Sequence, residues 1–274
     1  MRHPAALKRA ALLVVLCLPA VPSLFAQTAE LEKNARFWIG REKEIEDYIR
    51  SAEIESVKDI GVGVTKPKKA TLKPGGPIEA ITWKHLPPGR KQGYWESYKS
   101  EIAAYELDKL LGLGMVPPTV EKRYNGDLGA AVMWCQNVRT FKEMGGAPKD
   151  VPPQQIARWN KQIIRTKMFD NLIYNMDPNL GNWLVDQDWN LILIDHTRSF
   201  TTGKKMAHED MKRIDPVLWE KMDALTEESL QAALGEWLGK REIKAMLERR
   251  DKMREIIANL IKQTPGGEAA VYVR

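Results

Sequence analysis

The chain has 274 residues, 43% of them hydrophobic and 28% charged, with a formal net charge of +6. That composition excludes a disordered or fibrous chain and gives enough length to bury a core in one domain or two small lobes. Arg2, Lys8 and Arg9 all fall in the first 26 residues, so residues 27–274 carry only +3. With no basic stripe interleaved with aromatics, no nucleic-acid partner is expected.

Residues 1–26 start with those cations, run through apolar residues 10–18 and end at Ala26 before Gln27, which is the layout of a secretory signal peptide. The alternative is an uncleaved anchor, although residues 10–26 fall short of the roughly 20 needed to cross a bilayer and contain Pro19 and Pro22. Either way the remainder is expected outside the cytoplasm, periplasmic or secreted, with a membrane as partner only if the segment stays uncleaved. Leu16 before Cys17 is too bulky for a lipoprotein signal, and Cys135 is then the one mature cysteine, so no internal disulfide is expected.

Residues 28–58 carry Leu31, Ala35, Trp38, Ile39, Ile45, Tyr48 and Ile49 at spacings of three and four among charged residues, which predicts one amphipathic helix in an N-terminal extension over 27–59. The texture then changes to Gly, Pro and alternating apolar residues, predicting a β-rich N-lobe over 60–136. Within it, residues 86–93 read as a Pro/Gly loop and residues 94–111 as a helix stopped by Gly112 and Gly114. Asn125-Gly126-Asp127 joins two strands, the second ending at Trp134. A mainly helical C-lobe is expected over 137–263, with helices at 152–175 and 215–262, the latter broken near Leu225 and Gly239. Thr226-Glu227-Glu228-Ser229 reads as a helix start without the full capping box. Residues 264–274 are expected to be a loose tail. Trp159, Met168, Trp219, Trp237 and Met246, at helical spacing, are expected in the core.

The chemistry-bearing pattern is Asp177, five residues to Asn182, and thirteen more to Asp195 at the end of the apolar run Leu191-Ile192-Leu193-Ile194. The same intervals separate the catalytic-loop Asp, its Asn and the metal-binding Asp of protein kinases. Phosphoryl transfer needs a carboxylate beside the incoming hydroxyl, here Asp177, and oxygen ligands for a divalent cation on the phosphates, here Asn182 and Asp195. A calcium loop fits less well, because its sixth position, which needs Gly, holds Asn182. Upstream, Lys84 closes the strand-like run Ala80-Ile81-Thr82-Trp83 and Glu101 lies 17 residues later on a helix, a pairing suited to phosphate binding, with Glu106 as the competing carboxylate. Gly61 and Gly63 are candidates to cover the phosphates, although two glycines also make an ordinary turn, and Trp134 is a candidate nucleotide contact. Arg198 fits either a phosphate contact or a structural ion pair. His85 and His196 lie near these motifs and suit hydrogen bonding better than catalysis.

The stretch from Glu101 through Ala103-Ala104-Tyr105-Glu106-Leu107 to Gly112, then Val116-Pro117-Pro118-Thr119-Val120, Phe169-Asp170, residues 177–182 and Ile194-Asp195 to Phe200 resembles the Golgi casein kinase group of secretory-pathway kinases and their bacterial relatives. It is similar, more distantly, to phosphatidylinositol 3/4-kinases and HipA-type kinases. The resemblance spans about residues 60–250. It implies an α+β, two-lobed, protein-kinase-like fold and an ATP- and Mg²⁺-dependent phosphotransferase, with Mn²⁺ the other fitting ion, acting on a hydroxyl of a protein, glycan or small molecule. The sequence departs from protein kinases at Asn175-Met176-Asp177-Pro178 and at His196-Thr197-Arg198, where Phe-Gly would stand after the metal-binding Asp. Export leaves little ATP within reach, which keeps a nucleotide-binding pseudokinase scaffold and an AMP transferase as the rival readings.

Overall fold

A computed structural model describes residues 35–61 and 67–273. The signal segment, Cys17, the start of the expected N-terminal helix and Gly63 lie outside the described residues. The chain order is α1 (Glu42–Ser51), β1 (Ile54–Asp59), β2 (Lys68–Leu72), β3 (Ala80–Lys84), β4 (Gly89–Lys91), β5 (Tyr94–Glu96), α2 (Tyr98–Leu111), β6 (Thr119–Tyr124), β7 (Asp127–Met133) and β8 (Val138–Thr140). Then come α3 (Ile156–Ile173), β9 (Trp183–Asp186), β10 (Leu191–Leu193), α4 (Pro216–Asp223), α5 (Glu227–Leu234), α6 (Lys240–Gln263) and α7 (Glu268–Val271). Among the described residues an antiparallel five-stranded sheet runs β1-β2-β3-β7-β6, and a smaller one runs β10-β9-β8. This is a two-lobed α+β architecture, with the chain crossing between the lobes after β7.

The single helix expected over 28–58 is corrected to a shorter α1 with an edge strand after it. Lys122 on β6 donates from Nζ to the carbonyls of Ile49 (2.7 Å), Arg50 (3.2 Å) and Ala52 (2.7 Å), satisfying the C-terminal end of α1 where those oxygens lack helical partners. The polar residues beyond Ala52 then pair with β2, so tertiary pairing overrides a helical pattern and the N-lobe sheet begins at Ile54 rather than at residue 60. Trp38, Ile45 and Ile49 are buried in the N-lobe core. Each contributes roughly 1.5–3 kcal/mol by leaving water.

Further expectations change. The Pro/Gly loop contains the β4–β5 hairpin, turned by Gln92 (φ 48°) and Gly93 (φ 87°), and α2 starts at Tyr98 because Ser97 caps it, its side chain accepting from the Lys99 N–H. The tail is not loose: Val271 is fully buried and Tyr272 bridges to Ile214, because α6 leaves an apolar groove that α7 fills. The capping box at α5 is complete, closed by the Ser229 hydroxyl in place of a carboxylate. In the C-lobe core Trp159, Met168 and Met246 are buried, while Trp219 and Trp237 pack on its margin. No helix among the described residues is long and apolar enough to cross a membrane.

Asp108, on α2, is buried and accepts the backbone N–H groups of Gly114 (2.9 Å), Met115 (2.9 Å) and Val116 (3.0 Å), which fixes the link from α2 to β6. Burial outweighs those donors and pushes its carboxyl up to about 6. The folded state therefore binds this proton more tightly than the unfolded chain, so the group's stabilising contribution is full below about pH 4 and is lost as pH rises through about 6. A carbon-13 titration of Asp108 in the folded protein should show a midpoint near 6, whereas a midpoint below 4 would mean that the three N–H donors prevail.

Candidate active site

Alternation along β3 sends Ile81 and Trp83 into the N-lobe core and leaves Lys84 on the opposite face, beneath α2. A register slip of one residue would bury the wrong set. Lys84 Nζ donates to Glu101 Oε1 at 2.5 Å and to Asp195 Oδ1 at 2.9 Å, with Lys84 6% and Glu101 2% exposed. Burial alone would depress the ammonium, but the charges of Asp195 and Glu101 and the hydrogen bonds they accept hold it above the ordinary lysine value. Burial likewise opposes the Glu101 carboxylate, and the charge of Lys84 reverses this to hold it below the usual range. Glu106, the competing choice, pairs instead with Lys109 at 3.0 Å on the outer side of α2.

Close approach at this strand end depends on Gly129 of β7. A Cβ there would sit 2.5 Å from the Lys84 carbonyl oxygen, so any side chain would displace the backbone that carries the lysine.

Asp195 lies just past β10 with φ +63°, a left-handed conformation that costs an L-residue roughly 1–2 kcal/mol. The segment after it makes up that cost by hydrogen bonding. Thr197 Oγ1 donates to Asp195 Oδ1 (3.0 Å), the His196 N–H to Glu101 Oε2 (3.1 Å) and the Ser97 N–H to the Thr197 carbonyl (3.0 Å). Ser100 Oγ donates to the Ser199 carbonyl (3.3 Å) and the Phe200 N–H to the Ile173 carbonyl (2.7 Å), so this stretch is stitched to the start of α2 and the end of α3. His196 Nδ1, at 3.8 Å from Glu101 Oε2, is too far for a hydrogen bond. His85 rests on Trp83 and contacts the Leu128 carbonyl, outside the cluster.

The loop carrying Asp177 is built by amide side chains. Asn175 Nδ2 donates to Asp170 Oδ1 (3.0 Å) while its Oδ1 accepts the Asp177 N–H (3.1 Å). Asn182 Nδ2 donates to the Asp177 carbonyl (3.1 Å), and the Asn182 carbonyl accepts the Ile194 N–H (3.0 Å), which ties the loop to the strand end that carries Asp195. Asp177 itself accepts from Asn179 Nδ2 (3.0 Å) and from Arg198 Nη1 (3.3 Å). Of the candidates, then, Lys84, Glu101 and Asp195 touch, and Asp177 and Asn182 share one braced loop beside them. Gly61 lies at the end of β1 with φ +71°. Trp134 lies in the interlobe crossing with Lys69 Nζ 4.3 Å from its ring, and neither it nor Gly61 bonds to the cluster.

The donor set fits a divalent cation. Asp195 Oδ1 is engaged by Lys84 and Thr197, and Asn182 holds its loop through Nδ2, which leaves Asp195 Oδ2 and Asn182 Oδ1 without a hydrogen bond among the described residues. Four carboxylates (Glu96, Glu101, Asp177, Asp195) meet two cations (Lys84, Arg198), an excess of two negative charges. Two protein oxygens suit Mg²⁺, which keeps water and phosphate as its other ligands. No three His, Cys, Asp or Glu side chains among the described residues converge as a closed metal cage.

Sequence reasoning missed Glu96, whose Oε1 accepts from Arg198 Nε and Nη2, and Gly129. A glutamate directly before a helix-capping serine and a lone glycine in an apolar strand were the available signals.

The solved structure of the Golgi casein kinase superposes on this chain with a TM-score of 0.61 at 16% identity, covering 85% of this chain and 79% of that one. The chain has a kinase-like fold. A second structure of the Golgi casein kinase, with Mn/ADP bound, gives a TM-score of 0.60 at 14% identity, covering 92% of this chain and 89% of that one. The proinflammatory kinase CtkA of Helicobacter pylori gives 0.46 at 12% identity, covering 75% and 93%. No protein-family model and no curated protein matches the sequence.

Breaking the buried pair should be costly and breaking the half-buried outer pair, Glu106–Lys109, should not. Glu101→Gln leaves Lys84 with a single charged partner, and urea unfolding should show a loss of roughly 3–5 kcal/mol. Glu106→Gln should change stability by less than about 1 kcal/mol. Equal losses would mean that Glu101 holds no special place.

Proposed function

We propose that this protein is a metal-dependent phosphotransferase that moves the terminal phosphoryl group of ATP to a hydroxyl. The observation that carries the reading is the Lys84–Glu101–Asp195 contact joined through Asn182 to the loop of Asp177. In it Lys84 binds phosphate oxygens and Glu101 fixes the lysine. Asp195 and Asn182 would hold a divalent cation, which would supply charge neutralisation at the phosphates. Asp177 orients the acceptor hydroxyl and takes its proton as the acceptor oxygen bonds to the γ-phosphorus. The bond from that phosphorus to the bridging oxygen breaks and its electron pair leaves with ADP. The rival readings of scaffold and AMP transfer use the same site and differ in whether, and where, the phosphate chain is cleaved.

One neighbour's structure holds Mn and ADP, which guides the choice of probes. The chain from Gln27 should bind ATP with Mg²⁺ or Mn²⁺ and lose that binding in a chelator, as read by calorimetry. Asp195→Asn should abolish the metal-dependent part. Asp177→Asn should keep affinity within a few-fold and lower turnover by roughly 10² or more. Equal binding with metal and chelator would overturn the reading, and metal-dependent binding without turnover would favour the scaffold.

We also propose that the protein is exported and its signal segment removed. N-terminal sequencing of protein expressed with its native start should give Gln27, and a cytosolic full-length chain would refute this.

A further inference from the structure

We propose that Arg198 is a catalytic residue of this site, donating hydrogen bonds to the phosphoryl group as it passes from nucleotide to acceptor. The proposal rests on the phosphotransferase reading above, and its test separates the two.

The guanidinium is anchored from the far side of the cleft. Nε and Nη2 donate to Glu96 Oε1 at 2.9 and 2.8 Å, and the Tyr94 ring covers one face with its centroid 4.4 Å from the guanidinium carbon. Glu96 is 3% exposed, and both residues belong to the β4–β5 hairpin, so the N-lobe, not Asp177, fixes the side chain. The contact from Nη1 to Asp177 Oδ2 is 3.3 Å, longer than the roughly 2.7–2.9 Å of a close charge-assisted bond. A residue whose purpose was to neutralise Asp177 would close that gap.

Three N–H groups of the fork are committed by these contacts, one each on Nε, Nη1 and Nη2. Arginine carries five, so one N–H on each terminal nitrogen is left over. The side chain is 13% exposed. Transfer occurs between an acceptor hydroxyl within reach of Asp177 and a phosphate bound through Asp195, and the guanidinium touches the first carboxylate and feels the charge of the second. Lys84 Nζ has two of its three N–H groups engaged by Glu101 and Asp195, which leaves Arg198 as the cation on the acceptor side. As the bond from the acceptor oxygen forms and the bond to ADP breaks, with the acceptor proton going to Asp177, charge spreads over the three equatorial oxygens. A fixed arginine stabilises that distribution more than it stabilises bound ATP.

The test uses a mimic of the phosphoryl group and needs no acceptor. ADP affinity is measured with Mg²⁺, with and without fluoroaluminate, for the wild-type chain from Gln27 and for Arg198→Gln, Arg198→Lys and Glu96→Gln. Fluoroaluminate should tighten ADP binding to wild type by about 10²-fold or more. Arg198→Gln should bind Mg²⁺–ADP within about threefold of wild type and lose most of that tightening, and Arg198→Lys should recover part of it. Glu96→Gln keeps the cation but loosens the anchor that fixes it, so it should lose part of the tightening and less than Arg198→Gln does. The proposal is overturned if Arg198→Gln still tightens like wild type or if it loses Mg²⁺–ADP affinity to the same degree, since each marks a structural tie alone. It is also overturned if wild type binds Mg²⁺–ADP with no response to fluoroaluminate, a result that leaves the nucleotide reading standing. Failure of wild type to bind ADP with either metal removes both.

Discussion

The structure turns on one buried ammonium. Lys84 lies at the end of a strand in the N-lobe, and its two carboxylate partners come from a helix of the same lobe and from a strand end of the other. Charges taken out of water in this way stabilise a fold only when each is met with good geometry, and leaving one unmet costs several kcal/mol. The geometry here is met from three elements at once, so the position of α2, the register of β3 and the end of β10 are not independent choices. Gly129 belongs to the same constraint, since it lets β7 lie against the backbone that carries the lysine.

Much of this was legible in the sequence because it is written in short intervals. The strand ending at Lys84, the helix carrying Glu101 and the spacing from Asp177 through Asn182 to Asp195 are local patterns, and local patterns survive folding when burial agrees with them. What the sequence concealed depends on partners distant in the chain. The end of α1 is set by Lys122, 70 or more residues away, and without that donor the helical pattern runs on to Lys58. The β4–β5 hairpin hid behind Pro87, Pro88, Gly89 and Gly93, which read as a loop because its strands are only three residues each. The tail read as loose because Pro265, Gly266 and Gly267 open it, and the pairing that holds its end, Tyr272 against Ile214, is distant in the chain.

Arg198 shows the limit of motif reading. A basic residue three positions after Asp195 fits a phosphate contact and an ion pair equally well, and only its partners distinguish the two. The hairpin that supplies Glu96 and Tyr94 carries no motif, yet it fixes the direction of the guanidinium. The direction of the Arg198 guanidinium is therefore set by an element that composition alone would assign to surface decoration.

The stitched segment after Asp195 has a consequence for control. In a switchable site this stretch would hang free in one state and order in another, so that a helix such as α2 could swing without disturbing the core. Here swinging α2 would strip hydrogen bonds from Ser97, Ser100 and Glu101 together and expose a buried ammonium. Displacing α2 therefore amounts to partly unfolding the fold around it. Under the phosphotransferase proposal, whatever weakens the fold near α2, whether heat, proteolysis or a substitution in its packing, would act as an inhibitor, and whatever clamps the two lobes together would act as an activator.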